Sequence, residues 1–213
     1  MTKAERENML KERLNAMLTH ERALWGSGRS FIAGVDEVGR GPLAGPVVSA
    51  AVVLPQDFCV LGIDDSKKLS PRKRAQLAEI IKDQAVSWAL GWVWPDRIDE
   101  INILNATKEA MAGAVSRLSV TPDHVLIDGN FTVRAIALPQ TAIVKGDANS
   151  TSIAAASILA KVARDTYMEE QAAVYPGYAF ESNKGYGTKA HYEGLHRLGP
   201  CPIHRRTFIS ELL

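Results

Sequence analysis

From Phe31 onward, apolar positions fall into short runs of strand length that alternate with helical stripes. Before that point, residues 2–25 carry Leu10, Leu14, Met17, Leu18 and Leu24 near one helical face with charges between them. This predicts an amphipathic helix, closed by Gly26 and Gly28, that packs on the outside of a domain. Phe31-Ile32-Ala33-Gly34-Val35 reads as a buried strand, and residues 45–54, small and β-branched, as a second strand running back across the turn. A polar loop over 64–70 ends at Ser70, which predicts a helix N-cap with Pro71 at the first helical position and a helix to about Asp83. Residues 86–94 predict a third strand with Trp88, Trp92 and Trp94 on one face. Aromatics at strand period point to core or layer packing rather than to a platform for bases. Pro95 opens a short helical piece, and 105–118 reads as a helix rich in good helix formers. Residues 124–127 and 141–144 are short strands. Ser150 or Thr151 then caps a long alanine-rich helix through Val174, which Pro176 and Gly177 break. The remainder reads as a Lys184-Gly185-Tyr186-Gly187-Thr188 loop, a helix from about Lys189, a Gly199-Pro200 break and a last short helix. This order predicts an α/β fold, a mixed central sheet flanked by helices, with ligands bound where strand ends gather.

The chain has 213 residues, enough for one large domain with an appendage. The expected division is a helical extension over 1–30 and a main domain over 31–213, whose C-terminal helical portion begins at about 171. The formal net charge is only +1, so bulk charge does not announce a nucleic-acid partner. The distribution is more telling. Lys67, Lys68, Arg72, Lys73 and Arg74 form one basic cluster. Lys184, Lys189, Arg197, Arg205 and Arg206 form another, interleaved with His191, His196 and His204. The two cysteines are far apart and lack metal-ligand spacing, which fits a reducing cytoplasm. The charged N-terminus and the absence of any long apolar run predict no signal peptide and no membrane association, and a monomer is expected.

Candidate chemistry concentrates at strand ends. Asp36 and Glu37 sit side by side at the end of an apolar run, where unpaired carboxylates are costly to bury and a divalent cation would relieve them. Gly39-Arg40-Gly41 follows, with two glycines that let backbone approach a ligand and a forked donor suited to phosphate or sugar oxygens. A dinucleotide-binding loop is disfavoured, since the acids would lie beside a pyrophosphate and Pro42 spoils the helix start. Asp128 ends the fourth strand and Asp147 follows the fifth. If these ends neighbour one another, four carboxylates converge. Glu37 can join Asp36 only if the strand breaks there, because adjacent strand residues face opposite ways. Such a cluster suits two Mg²⁺ or Mn²⁺ ions about 4 Å apart, a site for in-line phosphoryl displacement. Asp165 is a fifth acid, but Lys161 one turn earlier favours a helix-surface ion pair.

Gly34-Val35-Asp36-Glu37-Val38-Gly39-Arg40-Gly41-Pro42 resembles the signature of the ribonuclease HII family. Five further blocks do so in the family's order: Asp65-Ser66-Lys67-Lys68-Leu69-Ser70, Leu126-Ile127-Asp128-Gly129-Asn130, Lys145-Gly146-Asp147, the stretch 155–165, and Lys184-Gly185-Tyr186-Gly187-Thr188. The resemblance runs from Phe31 nearly to the end and leaves the N-terminal helix outside it. It implies an RNase H-like fold with a C-terminal helical portion. It also implies endonucleolytic cleavage of RNA in RNA–DNA hybrids and on the 5′ side of single ribonucleotides in duplex DNA, leaving a 3′-hydroxyl and a 5′-phosphate. A role in removing ribonucleotides and primer RNA follows. Carried over, Asp36, Glu37, Asp128 and Asp147 match the metal-binding acids, and Gly39, Arg40 and Gly41 the loop that senses the ribose 2′-hydroxyl. Tyr186 matches the junction tyrosine, and Ser66 and Lys67 look like phosphate contacts. Asn183 stands where many members carry histidine. Two other classes compete: a non-catalytic hybrid-binding module, disfavoured by four acids placed near phosphates, and a ribonuclease HIII-type enzyme preferring long hybrids, disfavoured by Gly-Arg-Gly and Tyr186.

Overall fold

In the computed structural model, which describes residues 2–210, five strands form one sheet. They are β1 (Ile32–Val38), β2 (Val47–Val53), β3 (Ser87–Val93), β4 (His124–Asp128) and β5 (Gln140–Ile143), in the order β3-β2-β1-β4-β5. The β1–β2 and β2–β3 pairs are antiparallel, and β1–β4 and β4–β5 are parallel, which is the expected mixed sheet. The helices are α1 (Lys3–Met17), α2 (Thr19–Gly26), α3 (Pro71–Gln84), α4 (Pro95–Ile101), α5 (Ile103–Ser116), α6 (Gly146–Asn149), α7 (Thr151–Val174), α8 (Phe180–Asn183) and α9 (Lys189–Leu198). A 3₁₀ turn over Arg206–Phe208 takes the place of the last predicted helix. The tail over 211–213 lies outside the described residues.

Every residue of β2 is buried, as its unbroken small and β-branched run requires of a strand covered on both faces. One face packs on α5 through Ala33, Val35, Ala51, Val53 and Met111. The other packs on α3 and α7 through Ala50, Val52, Leu77, Ile81, Ala155 and Ile158. Alanines in the first half of α7 let its backbone lie close to the sheet. At Gly34 the approach is closest, since a Cβ there would meet Ser152 and Ile153 main-chain atoms at 2.5 Å or less. A third cluster joins Met168 of α7 to Tyr178, Phe180, Leu195 and Ile203, so α7 runs unbroken through the predicted boundary at about 171 and is core to both parts.

Several expectations are corrected. The 2–25 segment is two helices, not one. They meet at Leu18, and Leu14, Met17 and Leu18 are buried, with Met17 in the main core. Helix α5 begins earlier than predicted because Asn102, at φ 65°, accepts from the Leu104 and Asn105 N–H groups, both at 3.1 Å. The tryptophans share a face but are not core: Trp88 is 37% and Trp94 48% exposed. Small residues are needed on the opposite face of β3, where a Cβ on Gly91 would run into the Ala110 carbonyl, so the large rings take the open side. There Trp92 stacks on Trp94 with centroids 5.7 Å apart, and Tyr167 meets both edge-on.

Candidate active site

The register brings the acids together. The β1–β4 ladder runs as far as Val35 opposite Ile127, so Asp36 and Asp128 follow side by side past its last rung. β4 in turn pairs Asp128 with Ile143 of β5. After β5 the chain turns through Lys145, in the left-handed region at φ 55°, into the single turn α6 that carries Asp147. Asp128 Oδ1 accepts the Gly146 N–H at 2.6 Å, which ties the end of β4 to that turn. A side chain at 146 would crowd this contact, since a Cβ there would lie 2.6 Å from Ile153 Cδ1 and 3.2 Å from Asp128 Oδ1.

The expected strand break at Glu37 does not occur. β1 stays paired with β2 through Glu37 opposite Ser49 and Val38 opposite Val48. Its other edge is free of β4 beyond Val35, which lets Glu37 as well as Asp36 feel the Asp128 charge. Burial, then the Glu37 and Asp128 charges, raise the Asp36 carboxyl well above its usual range, while the Ser157 hydroxyl opposes this. Asp36 is 5% exposed, and its Oδ1 accepts the Glu37 N–H at 2.7 Å. Glu37 is raised by burial and by Asp128, against the pull of Arg40, whose Nη1 lies 3.5 Å from Oε1. Asp147 is raised by burial, then by Asp128 and Asp65. Burial pulls the Lys67 ammonium down, but the charges of Asp65, Asp147, Asp36 and Asp128 together raise it. These groups share one strained acidic neighbourhood, and a cation would stabilise it.

Among the described residues, no three His, Cys, Asp or Glu side chains close into a ready cage for an ion. The clustered donors are carboxylate oxygens alone, which fits Mg²⁺ or Mn²⁺ and not zinc. Asp165 is set apart, paired to Lys161 at 2.7 Å and to Arg74 at 3.5 Å, as an ion pair predicts.

The Gly-Arg-Gly loop and Tyr186 lie close together: a Cβ on Gly41 would lie 3.7 Å from the Tyr186 ring, which is 42% exposed. Asn183 is buried and works within the Tyr186 loop. Its Nδ2 donates to the Tyr178 carbonyl and its Oδ1 accepts the Gly185 N–H, both at 2.7 Å, so the departure from histidine falls on a turn-holding residue. Ser66, expected at a phosphate, is 3% exposed with its hydroxyl 2.9 Å from that of Ser157. The basic clusters split. Lys67 and Lys68 face solvent, whereas Arg74 is buried and donates to the Ser66 and Leu69 carbonyls, and Arg205 is wholly buried.

The family model for ribonuclease HII matches residues 33–211. The chain belongs to the ribonuclease HII family. It is 53% identical over 198 residues to the ribonuclease HII of Moorella thermoacetica, covering 93% of this chain and 96% of the relative. It is 52% identical to that of Enterococcus faecalis, covering 96% of this chain and 81% of the relative. Among solved structures, ribonuclease H2 from Pyrococcus horikoshii aligns with a TM-score of 0.68 at 30% identity, covering 83% of this chain and 93% of that one. Ribonuclease HII from Archaeoglobus fulgidus, solved in complex with PCNA, aligns with a TM-score of 0.70 at 27% identity, covering 82% and 93%. As a ribonuclease HII, the chain is a metal-dependent endoribonuclease that hydrolyses RNA in RNA–DNA hybrids, embedded ribonucleotides included.

Sequence reasoning missed several residues around these acids. Asp65 adds to the acidic field on Asp147 and caps the Lys67 N–H at 2.9 Å. Arg13 of α1 donates to the Ala148 carbonyl beside Asp147 at 2.7 Å and to Asp64 at 3.1 Å. Glu21 of α2, wholly buried, accepts from the Ser150 and Ser152 hydroxyls at 2.6 Å and the Ser152 N–H at 2.9 Å, at the start of α7. Asp65 lies inside a resemblance block and could have been flagged. An acid and an arginine on an amphipathic helix carry no signal beyond a solvated face.

Proposed function

We propose that Asp36, Glu37, Asp128 and Asp147 hold two divalent ions, Mg²⁺ or Mn²⁺, and that Gly39, Arg40, Gly41 and Tyr186 recognise the ribonucleotide at an RNA–DNA junction. The observation that carries this reading is the burial of Asp36 beside Glu37 and Asp128, three acids with no local structural use for their repulsion. When bound, the ions supply activation of water and stabilisation of the leaving 3′ oxygen. The chain's own groups do the rest. Asp36 and Asp128 each accept a main-chain N–H at Oδ1, and the Ser157 hydroxyl also bonds Asp36, which orients both carboxylates. Arg40 and Lys67 stand beside the acids as phosphate donors, and Arg6, Arg13, Lys68 and Lys73 line a cavity of ≈ 600 Å³ next to Lys67 that suits the backbone of a bound duplex whatever its sequence. The exposed Tyr186 ring beside Gly41 fits a sugar face, and main-chain groups of the glycine loop fit a 2′-hydroxyl, which is both donor and acceptor. The cut falls 5′ of the ribonucleotide and leaves a 3′-hydroxyl and a 5′-phosphate.

In this reading the protein acts as a cytoplasmic monomer, and residues 1–30 form an extension that braces the Asp147 turn. No helix among the described residues is long and apolar enough to cross a membrane. The test is Asp128→Asn, assayed for cleavage and for hybrid binding in parallel. Cleavage is abolished while binding persists; unchanged turnover refutes the assignment.

A further inference from the structure

Two arginines lie wholly buried beneath the Gly-Arg-Gly loop, and neither has a carboxylate within ion-pair distance among the described residues. Arg205 donates from Nε to the Gly45 carbonyl at 2.9 Å, from Nη1 to Arg40 at 3.0 Å and from Nη2 to Gly39 at 2.6 Å. Arg164, on α7, donates to the carbonyls of Pro46 at 2.9 Å, Lys184 at 2.9 Å and Ala44 at 3.0 Å. Six main-chain oxygens thus give every nitrogen of the two guanidinium groups a partner. A buried cation is expensive unless fully hydrogen-bonded, and charge-assisted bonds of this kind are the strong ones. The loop is therefore clamped from inside. Gly39, at φ 94°, has no side chain because Arg164 fills that space.

The clamp has a stereochemical consequence. In a planar trans peptide the carbonyl and the following N–H point in opposite directions. The Arg205 fork turns the Gly39 and Arg40 carbonyls inward. The Arg40 and Gly41 N–H groups must then face outward, on the side where Tyr186 stands, and neither finds an acceptor among the described residues. Two adjacent outward donors are suited to a hydroxyl oxygen.

We infer that Arg205 is a specificity-determining positioning residue, whose buried fork presents the Arg40 and Gly41 N–H groups to the 2′-hydroxyl of the substrate ribonucleotide. This rests on the reading of Gly39, Arg40 and Gly41 as the ribose sensor. Arg164 extends the arrangement. It bonds the Lys184 carbonyl at the base of the Tyr186 loop, and it shares α7 with Ser157, which faces Asp36. The recognition side and the cutting side are therefore hung on one helix.

The test uses Arg205→Lys, which keeps the charge but loses the planar fork. Its kcat/KM on a DNA duplex with one ribonucleotide falls about ten-fold or more beyond any loss on a continuous RNA–DNA hybrid, as expected when charged hydrogen bonds are lost. Mn²⁺ binding measured by calorimetry stays unchanged. Equal losses on both substrates, or none, overturn the inference. The reading beneath it is checked on the wild type. Cutting at a single 2′-deoxy-2′-fluoro nucleotide as fast as at a ribonucleotide defeats the sensor itself, whatever Arg205 does. Should Arg205→Lys not fold, hydrogen exchange of the wild type decides, since slow, protected Arg40 and Gly41 amides overturn the outward placement and free exchange supports it.

Discussion

Gly34→Ala probes how closely α7 is pressed to the strand that carries Asp36. The added methyl would meet the Ser152 carbonyl carbon and oxygen and the Ile153 nitrogen, all at 2.5 Å or less. These are main-chain atoms in the first turn of a buried helix, so no rotamer change relieves the clash and α7 must shift bodily. Overpacking a well-filled core costs about 1–3 kcal/mol, and a clash against backbone belongs at the upper end. For a chain of this size each kcal/mol lowers Tm by about 2–4 °C, so a fall of about 6–12 °C is expected. The shift also moves Ser157 away from Asp36 and disturbs the Asp147 turn, which directly precedes α7. Activity at a temperature where the variant is folded should therefore drop as well. The assay is thermal unfolding by circular dichroism, followed by single-ribonucleotide cleavage below the transition. Gly26→Ala is the control, because a Cβ there meets nothing within 4 Å. A Gly34→Ala protein melting within about 2 °C of the wild type, with unchanged kcat/KM, would refute the close helix–sheet contact and the link to the site.

Three further outcomes follow from the site and its surroundings. Asp36→Asn removes a buried charge whose carboxyl is raised by burial and by Glu37 and Asp128. The metal-free variant therefore melts above the metal-free wild type at pH 8. The gap narrows as the pH falls through the raised value toward the ordinary 3.8, and added Mg²⁺ no longer raises the variant's Tm in a melt followed by circular dichroism. Tyr186→Ala loses single-ribonucleotide cutting far more than cutting of long hybrid stretches in parallel kcat/KM measurements, and equal losses would count against its junction role. His204 is buried against Tyr178, Phe180, His191 and Cys201, and burial, then the His191 ring, pushes it from 6.5 down to about 4. Its contribution is complete above pH 6.5 and is lost as pH falls toward 4, by about 3 kcal/mol at most, so urea unfolding from pH 7 to 4.5 should show this loss in the wild type and less of it in His204→Asn.

The acids were legible because strand ends are where a mixed sheet gathers ligands, and Asp36, Asp128 and Asp147 each follow an apolar run. The parallel β1–β4 register then makes neighbours of Asp36 and Asp128. Glu37 comes near Asp128 without the expected strand break, because β1 outruns its partner on one edge. Burial of charge was not legible. Arg74 and Arg205 were read within basic clusters and Arg164 carried no separate signal, yet each is buried and donates to main-chain carbonyls that only the folded loops bring near. Glu21 is hidden for the same reason, since its partners lie at the start of α7, far along the chain. Trp88, Trp92 and Trp94 were read as core or layer packing from their strand period. Period identifies a shared face, but the close approach of α5 at Gly91 decides which face can hold large rings.

The proposed function couples a carboxylate-held metal site to recognition of a single ribonucleotide. Its most direct test is an end-labelled DNA duplex with one embedded ribonucleotide, incubated with the protein in Mg²⁺, in Mn²⁺ or in EDTA. A single cut on the 5′ side of the ribonucleotide, leaving a 3′-hydroxyl and lost in EDTA, is the predicted result. Cutting confined to long hybrid stretches would contradict the roles given to Arg40 and Tyr186, and cleavage undiminished by EDTA would contradict the metal site itself.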